Sequence, residues 1–285
     1  MMKILCSSVN SLPENIPVGT KAFTFLAASS NIDVGRIACG WLRELENAGY
    51  APSISVWDFT LFCFAVYAAD LAVLRKKSAD GWTRQIELDI TLNQPELWEA
   101  NKTIAEEMLR VLSGDFWTLN FLPGGPPPPQ GNRRFCDRDC VSLLSGGLDS
   151  LIGGIDASAQ GRKPIFVSQL AFEDSARQVA YANALGGGEW HQQWSHKVVF
   201  KGRKETSTRA RSMAFYGLAV LATSLLESNR PDIIVPENGF ISINPPLLPG
   251  RMASLSTRTT HPLFMALLQK LLDVVDVDVR LNMPY

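Results

Sequence analysis

The residues with the clearest chemical potential form one turn in the second half of the sequence. The turn consists of Ser145, Gly146, Gly147, Leu148, Asp149 and Ser150. An apolar run precedes it, and a stretch compatible with a helix follows. Consecutive glycines leave backbone N–H groups uncovered by side chains, and a helix start adds the positive end of its dipole. The turn therefore predicts a binding site for a phosphate or pyrophosphate, with the two serine hydroxyls as further donors.

This turn resembles the Ser-Gly-Gly-x-Asp-Ser signature of the PP-loop ATP pyrophosphatases. It is not a Walker loop, because no Lys-Ser or Lys-Thr pair closes it. Enzymes of the PP-loop family transfer AMP from ATP to a carbonyl or carboxyl oxygen and release pyrophosphate. The resemblance implies that the six residues bind ATP together with Mg²⁺. It also implies a catalytic role for Asp149, which contacts the metal ion or braces the loop.

The most basic window of the chain opens a predicted long helix, residues 207–228. Its cations are Lys197, Lys201, Arg203, Lys204, Arg209 and Arg211, opposed only by Glu205. Cations at a helix N-terminus oppose the helix dipole, which indicates that an anion binds there. Because guanidinium groups fork onto phosphate oxygens, Arg209 and Arg211 are predicted to stabilise charge that builds on the α-phosphate. The alternative is a solvated basic loop.

A polar segment, residues 236–247, directly follows another predicted strand. Glu237, Asn238 and Ser242 offer carboxylate, amide and hydroxyl groups that suit the donor–acceptor edge of a purine-like ring. The alternative is a polar loop that satisfies its own backbone. Further along, Arg258 is a candidate contact for a substrate carboxylate or phosphate, and His261 is expected to cap the helix that follows it.

Together these segments resemble the 7-cyano-7-deazaguanine synthases (QueC) over residues 135–285. Within that family they resemble the QueC-like proteins of the Qat anti-phage systems, which carry an added N-terminal module. Such a synthase adenylates the carboxylate of 7-carboxy-7-deazaguanine, ammonia displaces AMP to give an amide, and a second adenylation leads to the nitrile. The resemblance implies a deazapurine substrate oriented by Glu237 and Asn238. A defence-associated relative would instead join the activated deazapurine to a protein partner.

Zinc is where the sequence departs from this pattern. The synthases bind a structural zinc ion through a cysteine cluster near their C-terminus, whereas this sequence has no cysteine beyond Cys140. Cys136 and Cys140 supply two ligands of a site that normally needs four, so both are interpreted as ordinary thiols and no metal ligand is assigned. The chain is therefore expected to be C-terminally incomplete relative to the family, or to belong to a branch without zinc.

Three other functions stay open at this point. One is another PP-loop amidating or thiolating enzyme, of the NAD synthetase-like or tRNA-thiolating type. The tRNA type predicts a larger basic surface and a reactive cysteine pair near the site. Another is a non-catalytic ATP-binding sensor subunit of a defence complex. The third is a structural scaffold with a relic loop, which would bind no ATP.

The elements that must position these residues alternate between strand and helix. Strands are predicted at 140–144, 164–171, 196–200, 232–236 and 277–281, and helices at 149–160, 175–185, 207–228 and 261–275. This series predicts a parallel sheet with helices on both faces, the α/β architecture of the PP-loop (HUP-type) family. Ligands bind such sheets at the carboxyl ends of the strands. The polar residues expected to converge there are Ser145, Asp174, Lys201 and Glu237.

Residues 1–123 are predicted to form a smaller α+β accessory domain. A Pro/Gly-rich linker, residues 124–134, is expected to join it to residues 135–285 in an extended polyproline conformation. Helices are predicted at 34–48, 55–75 and 95–112, and strands at 82–92 and 116–122. Asp58 and Asp70 are expected as helix caps or surface groups. The expected role of this part is docking, substrate cover or dimerisation.

Net charge, the most apolar stretch and the cysteine count limit which partners and which cell compartment are expected. The 285 residues carry a net charge of −1, which gives no overall attraction to nucleic acid or to an anionic membrane surface. The most apolar stretch, residues 59–69, is shorter than the ~20 residues that span a bilayer. Five cysteines without an export signal favour a reducing, cytoplasmic location.

Overall fold

The computed structural model describes residues 2–131, 135–170, 173–243 and 258–285. Within these ranges the chain forms a mixed six-stranded sheet and a parallel five-stranded sheet. Helices that pack on the first sheet contact helices that pack on the second sheet, in a layer between the two sheets. The architecture is therefore α/β throughout.

The first half supplies five parallel strands of the six-stranded sheet. Its elements are β1 (Met2–Ser7), β2 (Thr20–Phe25), β3 (Gly35–Cys39), α1 (Leu42–Ala48), α2 (Ile54–Ala72), β4 (Gln85–Leu92), α3 (Pro95–Ala100), α4 (Lys102–Ser113) and β5 (Phe116–Pro123). The strand order is β5-β4-β1-β2-β3. The chain thus moves outward from β1 to β3 and returns to β4 on the other side of β1. This is the order of a doubly wound sheet.

The predicted α+β arrangement of the first half is therefore wrong, although α2, β4 and β5 lie close to their predicted positions. Strands β1 and β2 have no counterpart in the prediction, and residues 34–48 form β3 and then α1 instead of one helix. The apolar spacing of Ile37, Trp41 and Leu45 fits a helix, but long-range pairing of β3 with β2 decides the outcome. The predicted helix 95–112 is divided into α3 and α4.

The second half forms the five-stranded sheet, as its alternating pattern predicts. Its elements are β6 (Cys140–Leu143), α5 (Leu148–Ala159), β7 (Pro164–Gln169), α6 (Ser175–Ala184), β8 (His191–Trp194), β9 (His196–Val199), α7 (Arg211–Ala222), β10 (Asp232–Ile234), α8 (Gly239–Ile243), α9 (Pro262–Val274) and β11 (Arg280–Asn282). The strand order is β11-β10-β6-β7-β8, and every pair is parallel. This sheet also has a doubly wound order.

Strand β9 crosses from the second half of the chain into the first sheet. It pairs antiparallel with β3, between Arg36 and Val199 at one end and Cys39 and His196 at the other. The expectation that residues 196–200 add a strand to the second sheet is therefore wrong, and β8 occupies that place. The two halves of the chain consequently share a sheet and are not independent units.

The layer between the sheets is built on α2 and α7. Gly217 of α7 allows a close crossing, because a Cβ atom at that position would lie 2.9 Å from the Cβ atom of Cys63. Alongside, α4 packs against α9. Among the described helices, α2 alone is long and apolar enough to cross a membrane, and it is mostly buried here, as the core helix of a soluble protein is.

Residues 124–131 of the predicted linker form no helix or strand, and hydrogen bonds join this segment to the first sheet and to α2. The carbonyl oxygen of Pro126 accepts hydrogen bonds from Trp57 Nε1 at 2.8 Å and from Asn93 Nδ2 at 3.1 Å. The N–H group of Gly125 donates to the last residue of β4, and hydroxyl groups that follow β1 donate to the carbonyl of residue 124. This segment therefore covers the carboxyl ends of β1 and β4, where a doubly wound sheet would bind a ligand.

Candidate functional site

The signature turn lies at the switch point of the second sheet. The chain runs outward from β6 through β7 to β8 and then returns to β10 on the other side of β6. Connections that follow β6 and β10 therefore diverge and leave a crevice at the carboxyl ends of these strands. Ser145 follows β6, and Glu237 follows β10. The two segments that the sequence singled out are thus brought together at this edge.

The turn is held by its own hydroxyl groups. Ser150 Oγ donates to the carbonyl of Gly147 at 2.8 Å, Ser145 Oγ lies 3.2 Å from Ser150 Oγ, and the N–H group of Gly147 donates to Ser145 Oγ at 3.3 Å. Gly146 has a φ of +91°, a value that side chains with a Cβ rarely adopt. No side chain caps the N-terminus of α5, which begins at Leu148. Its first N–H groups therefore have no intrahelical acceptors.

A cavity of about 470 Å³ opens beside the turn. Its lining consists of Leu143, Ser145, Ser150, Gln169, Asp174, Gln178, Thr208, Arg209, Arg211, Ser212, Phe215, Tyr216, Val235, Pro236, Glu237, Thr259 and Thr260. The volume lies in the range of about 300–1,000 Å³ that is typical of small-molecule sites. Of the residues predicted to converge, Ser145, Asp174 and Glu237 do so, whereas Lys201 pairs with Asp33 at 2.9 Å.

Three buried polar atoms in this lining have no hydrogen-bond partner within the described part of the chain. They are Gln169 Oε1, Arg209 Nη2 and Ser212 Oγ. Buried polar groups are nearly always paired in folded proteins, and an unpaired one costs free energy. The cavity can therefore offer a polar ligand one amide acceptor, one guanidinium donor and one hydroxyl group.

Arg209 is the buried cation of the cavity. It is only 9% exposed, its Nη1 donates to the carbonyl of Ser113 at 3.1 Å, and its guanidinium lies 4.8 Å from the ring centre of Trp82. Burial lowers the pKa of this guanidinium, and Arg75 lowers it further. Arg211, the first residue of α7, also lines the cavity but is exposed. The structure therefore brings both predicted arginines to the cavity, in different surroundings.

The anion at the start of α7 is supplied by the chain itself. Asp70 of α2 is fully buried, and its Oδ2 accepts hydrogen bonds at 2.8 Å from the backbone N–H groups of both Arg209 and Ala210. Asp70 therefore supplies one anion to the backbone just before this helix, and the binding of an external anion by the side chains of Arg209 and Arg211 stays a prediction. Asp70 was expected as a helix cap or a surface group, but it lies buried within α2 and accepts from backbone N–H groups that precede α7, whose start has no side-chain cap.

Asp149 and Glu237 form a carboxyl pair. Burial raises the pKa of Glu237, and the charge and hydrogen bonding of Asp149 raise it further, while the N–H group of Asn238 partly offsets the rise. Two adjacent carboxylates resist simultaneous ionisation unless a proton or a cation lies between them. The pair is therefore suited to share a divalent cation.

The other residues predicted for the substrate are not part of the cavity lining. Ser242 Oγ donates to the lining residue Thr260 at 3.0 Å, and exposed Asn238 bonds through its backbone to its neighbour Glu237. Arg258 donates to the carbonyl of Val111 in α4 at 3.2 Å and is not part of the lining. The remaining part of the predicted polar loop, residues 244–247, lies outside the described residues.

Sequence reasoning missed two glutamines of the site. Gln178 Nε2 donates to the carbonyl of Ser145 at 3.1 Å and so supports the turn. Gln169 Nε2 lies 3.3 Å from Nε2 of His196, which is half-buried; desolvation lowers the pKa of this imidazole to about 4, so the ring is neutral. Gln169 ends β7, so its place at a carboxyl strand end was the available signal. The support from His196 depends on β9 joining the first sheet, whereas the sequence pattern predicted this strand for the second sheet.

Cysteines lie away from this site. Cys140 is buried in β6, and Cys136 lies 3.5 Å from the carbonyl of Leu225. Burial raises the pKa of both thiols. In the described ranges no group of three or more His, Cys, Asp or Glu side chains is placed to hold a metal ion. His261 caps α9 through Nδ1, as predicted.

Comparisons with protein-family models, with curated proteins and with solved structures gave no match for this chain.

Proposed function

We propose that the chain binds ATP in the cavity beside the turn and transfers AMP to a carboxylate of a 7-deazapurine such as 7-carboxy-7-deazaguanine. One observation carries the proposal. The Ser-Gly-Gly-x-Asp-Ser turn and Glu237 flank the switch point of a parallel sheet, which is where such sheets bind ligands. A PP-loop type of fold for the second half belongs to the same proposal. The deazapurine as acceptor, and a defence system as context, come from the resemblance of the motifs.

The start of α5 is suited to the phosphates of ATP. Backbone N–H groups in its first turn are free of intrahelical acceptors, and the helix dipole favours negative charge there. Arg209 adds an unfilled guanidinium donor to the cavity lining. A buried charge without a partner is costly, so an anionic ligand would be stabilised at this point.

Asp149 and Glu237 are suited to Mg²⁺. Proteins commonly hold this ion through one or two carboxylates together with substrate phosphates. When bound, Mg²⁺ would neutralise charge on the phosphates of ATP. In this proposal Glu237 serves the metal ion and not the heterocycle, and Gln169 Oε1 is the acceptor that a ring N–H group would meet.

The proposed reaction balances without a protein nucleophile. A carboxylate oxygen attacks the α-phosphorus of ATP, the bond to the bridging oxygen of the β-phosphate breaks, and pyrophosphate leaves. Ammonia then attacks the acyl carbon, AMP leaves with the bonding electrons, and one proton is released to give the amide. Arg209 and Arg211 would stabilise the charge that builds on the α-phosphate in the first step.

Product analysis tests the proposal. The chain is incubated with ATP, Mg²⁺ and 7-carboxy-7-deazaguanine, with and without ammonium, and AMP, pyrophosphate and the purine are followed. We expect purine-dependent AMP, lost in Asp149→Ala and retained in Asp273→Ala, a surface acid of α9 paired with Arg230. An adenylate that persists without a nitrogen product supports transfer to a protein partner. ATP binding without AMP formation contradicts the proposal and favours a sensor.

A further inference from the structure

The segment that carries Arg209 is held almost entirely by the first half of the chain. The N–H group of Glu205 donates to the carbonyl of Leu71 at 2.8 Å. The Glu205 carboxylate accepts from the N–H group of Arg75 at 2.8 Å, and Arg75 Nε donates to the carbonyl of Ser207 at 3.2 Å. With β9 in the first sheet, the path from residue 196 to α7 is therefore anchored to first-half residues at several points.

A buried ion cluster lies under this segment. Asp115 binds Arg75 at 2.8 and 2.9 Å and Arg84 at 2.6 Å, and Arg84 also pairs with Asp70. Two carboxylates balance two guanidinium groups, all nearly inaccessible to solvent. Asp70 directs only Oδ1 to Arg84 and uses Oδ2 for the start of α7. Arg209 is the additional cation beside this balanced set, and its Nη2 stays unpaired within the described residues.

We propose that Asp70 and Trp82 are positioning residues of the nucleotide site, a role that rests on the proposed function. The Asp70 carboxylate fixes the backbone of Arg209 by accepting a hydrogen bond from its N–H group. The ring face of Trp82 holds the Arg209 guanidinium. Together they keep the unpaired Nη2 of Arg209 in place for an anionic ligand. The first half of the chain is thereby a working part of the site and not a cover or a separate docking module.

Paired substitutions test this role with Mg²⁺-pyrophosphate and Mg²⁺-ATP as the probes in calorimetry. Asp70→Asn is expected to weaken both by about tenfold, which corresponds to about 1.4 kcal/mol. Asp115→Asn is the matched control, because it removes a charge from the same cluster, whereas the backbone N–H groups of Arg209 and Ala210 donate to Asp70. Trp82 is 40% exposed, so Trp82→Leu is expected to fold, and it should weaken binding by about two- to fivefold through the lost cation–π contact.

Repetition in an Arg209→Met background separates positioning from a general loss of structure. If Asp70 and Trp82 act through Arg209, neither substitution weakens binding further in that background. Equal losses in both backgrounds, or an Asp115→Asn loss as large as that of Asp70→Asn, would overturn the inference while the proposed function stands. If Asp70→Asn does not fold, the double-mutant cycle of Trp82→Leu with Arg209→Met measures the same coupling, and additive losses in it would overturn the inference. A wild-type chain that binds neither probe overturns the proposed function and this inference with it.

Discussion

Gly153 of α5 lies directly against Pro236, and a Cβ atom at position 153 would come within 2.4 Å of the Cβ atom of Pro236. Gly153 shares a helix face with Asp149, one turn away, and Pro236 precedes Glu237. This contact therefore sets how closely the helix that carries Asp149 approaches the strand end that carries Glu237. The spacing of the carboxyl pair depends on the absence of a side chain at position 153.

Gly153→Ala is expected to damage both stability and the carboxyl pair. Overpacking costs about 1–3 kcal/mol, against a gain in helix propensity of about 1 kcal/mol from the loss of glycine. Mg²⁺-dependent ATP binding should weaken, which titration calorimetry measures. Ser158→Ala, an exposed change on the same helix, serves as the control and should leave both quantities unchanged. Wild-type affinity in Gly153→Ala would show that the contact does not set the site.

The pH dependence of stability reports on Glu237. Its pKa is raised above the ordinary value of 4.5, so the folded chain holds this proton more readily than the unfolded chain. The resulting stabilisation is present below the ordinary value and is lost as pH rises through the raised value. Without Mg²⁺, Glu237→Gln should therefore melt at a higher temperature than wild type near neutral pH, with the gain vanishing in acid. A gain that persists at low pH would contradict the assignment.

The glycines of the turn are expected to differ in their tolerance of substitution. Gly146→Ala places a Cβ at a φ of +91° and within 3.2 Å of the Gln178 side chain, which should cost about 1–3 kcal/mol. Gly147 has a φ of −85°, and a Cβ there would meet only Ser145 Oγ at 3.4 Å, so Gly147→Ala should fold normally. Chemical denaturation of both variants checks the contrast. Equal stabilities would show that the turn adopts another conformation.

Arg211, predicted to bind phosphate, and Arg258, predicted to bind the substrate, are expected to differ in their effects on ATP affinity and on stability. Arg211 lines the cavity, so Arg211→Ala should weaken ATP binding with little change in stability. Arg258 donates to the carbonyl of Val111, so Arg258→Ala should cost about 1–3 kcal/mol of stability and leave ATP affinity unchanged. Thermal melting and calorimetry on both variants separate these effects. A loss of affinity in Arg258→Ala at unchanged stability would restore its predicted substrate role.

Strands β6, β7 and β10 of the second sheet were predictable because they are apolar runs that end in turn residues, whereas the polar strand β8 was not predicted. Strands β1 to β3 of the first sheet were not predicted, because they are defined by pairing with other strands of the sheet. Strand β9 shows the same limit most clearly, because its sequence favours a strand without indicating which sheet it joins. Local pattern reports the element type, whereas tertiary contacts decide the partner.

For the site, the turn and Glu237 were predictable from residue type and position after a strand. The role of Asp70 beside the start of α7 was not predictable, because Asp70 lies 139 residues before Arg209 and resembles a surface acid in sequence. Arg258 was assigned to the substrate by its charge alone, and the structure gives its guanidinium a backbone acceptor elsewhere. Electrostatic roles of this kind follow from burial, which a local sequence window does not contain.

The most direct test of the central claim follows an oxygen atom. When ammonia displaces AMP from the activated carboxylate, one carboxylate oxygen leaves with the AMP. The chain is therefore incubated with ¹⁸O-carboxylate-labelled 7-carboxy-7-deazaguanine, ATP, Mg²⁺ and ammonium, and the nucleotides are analysed by mass spectrometry. We predict AMP that carries one labelled oxygen, formed in step with the amide and absent in Asp149→Ala. ADP, unlabelled AMP or unchanged ATP would contradict it.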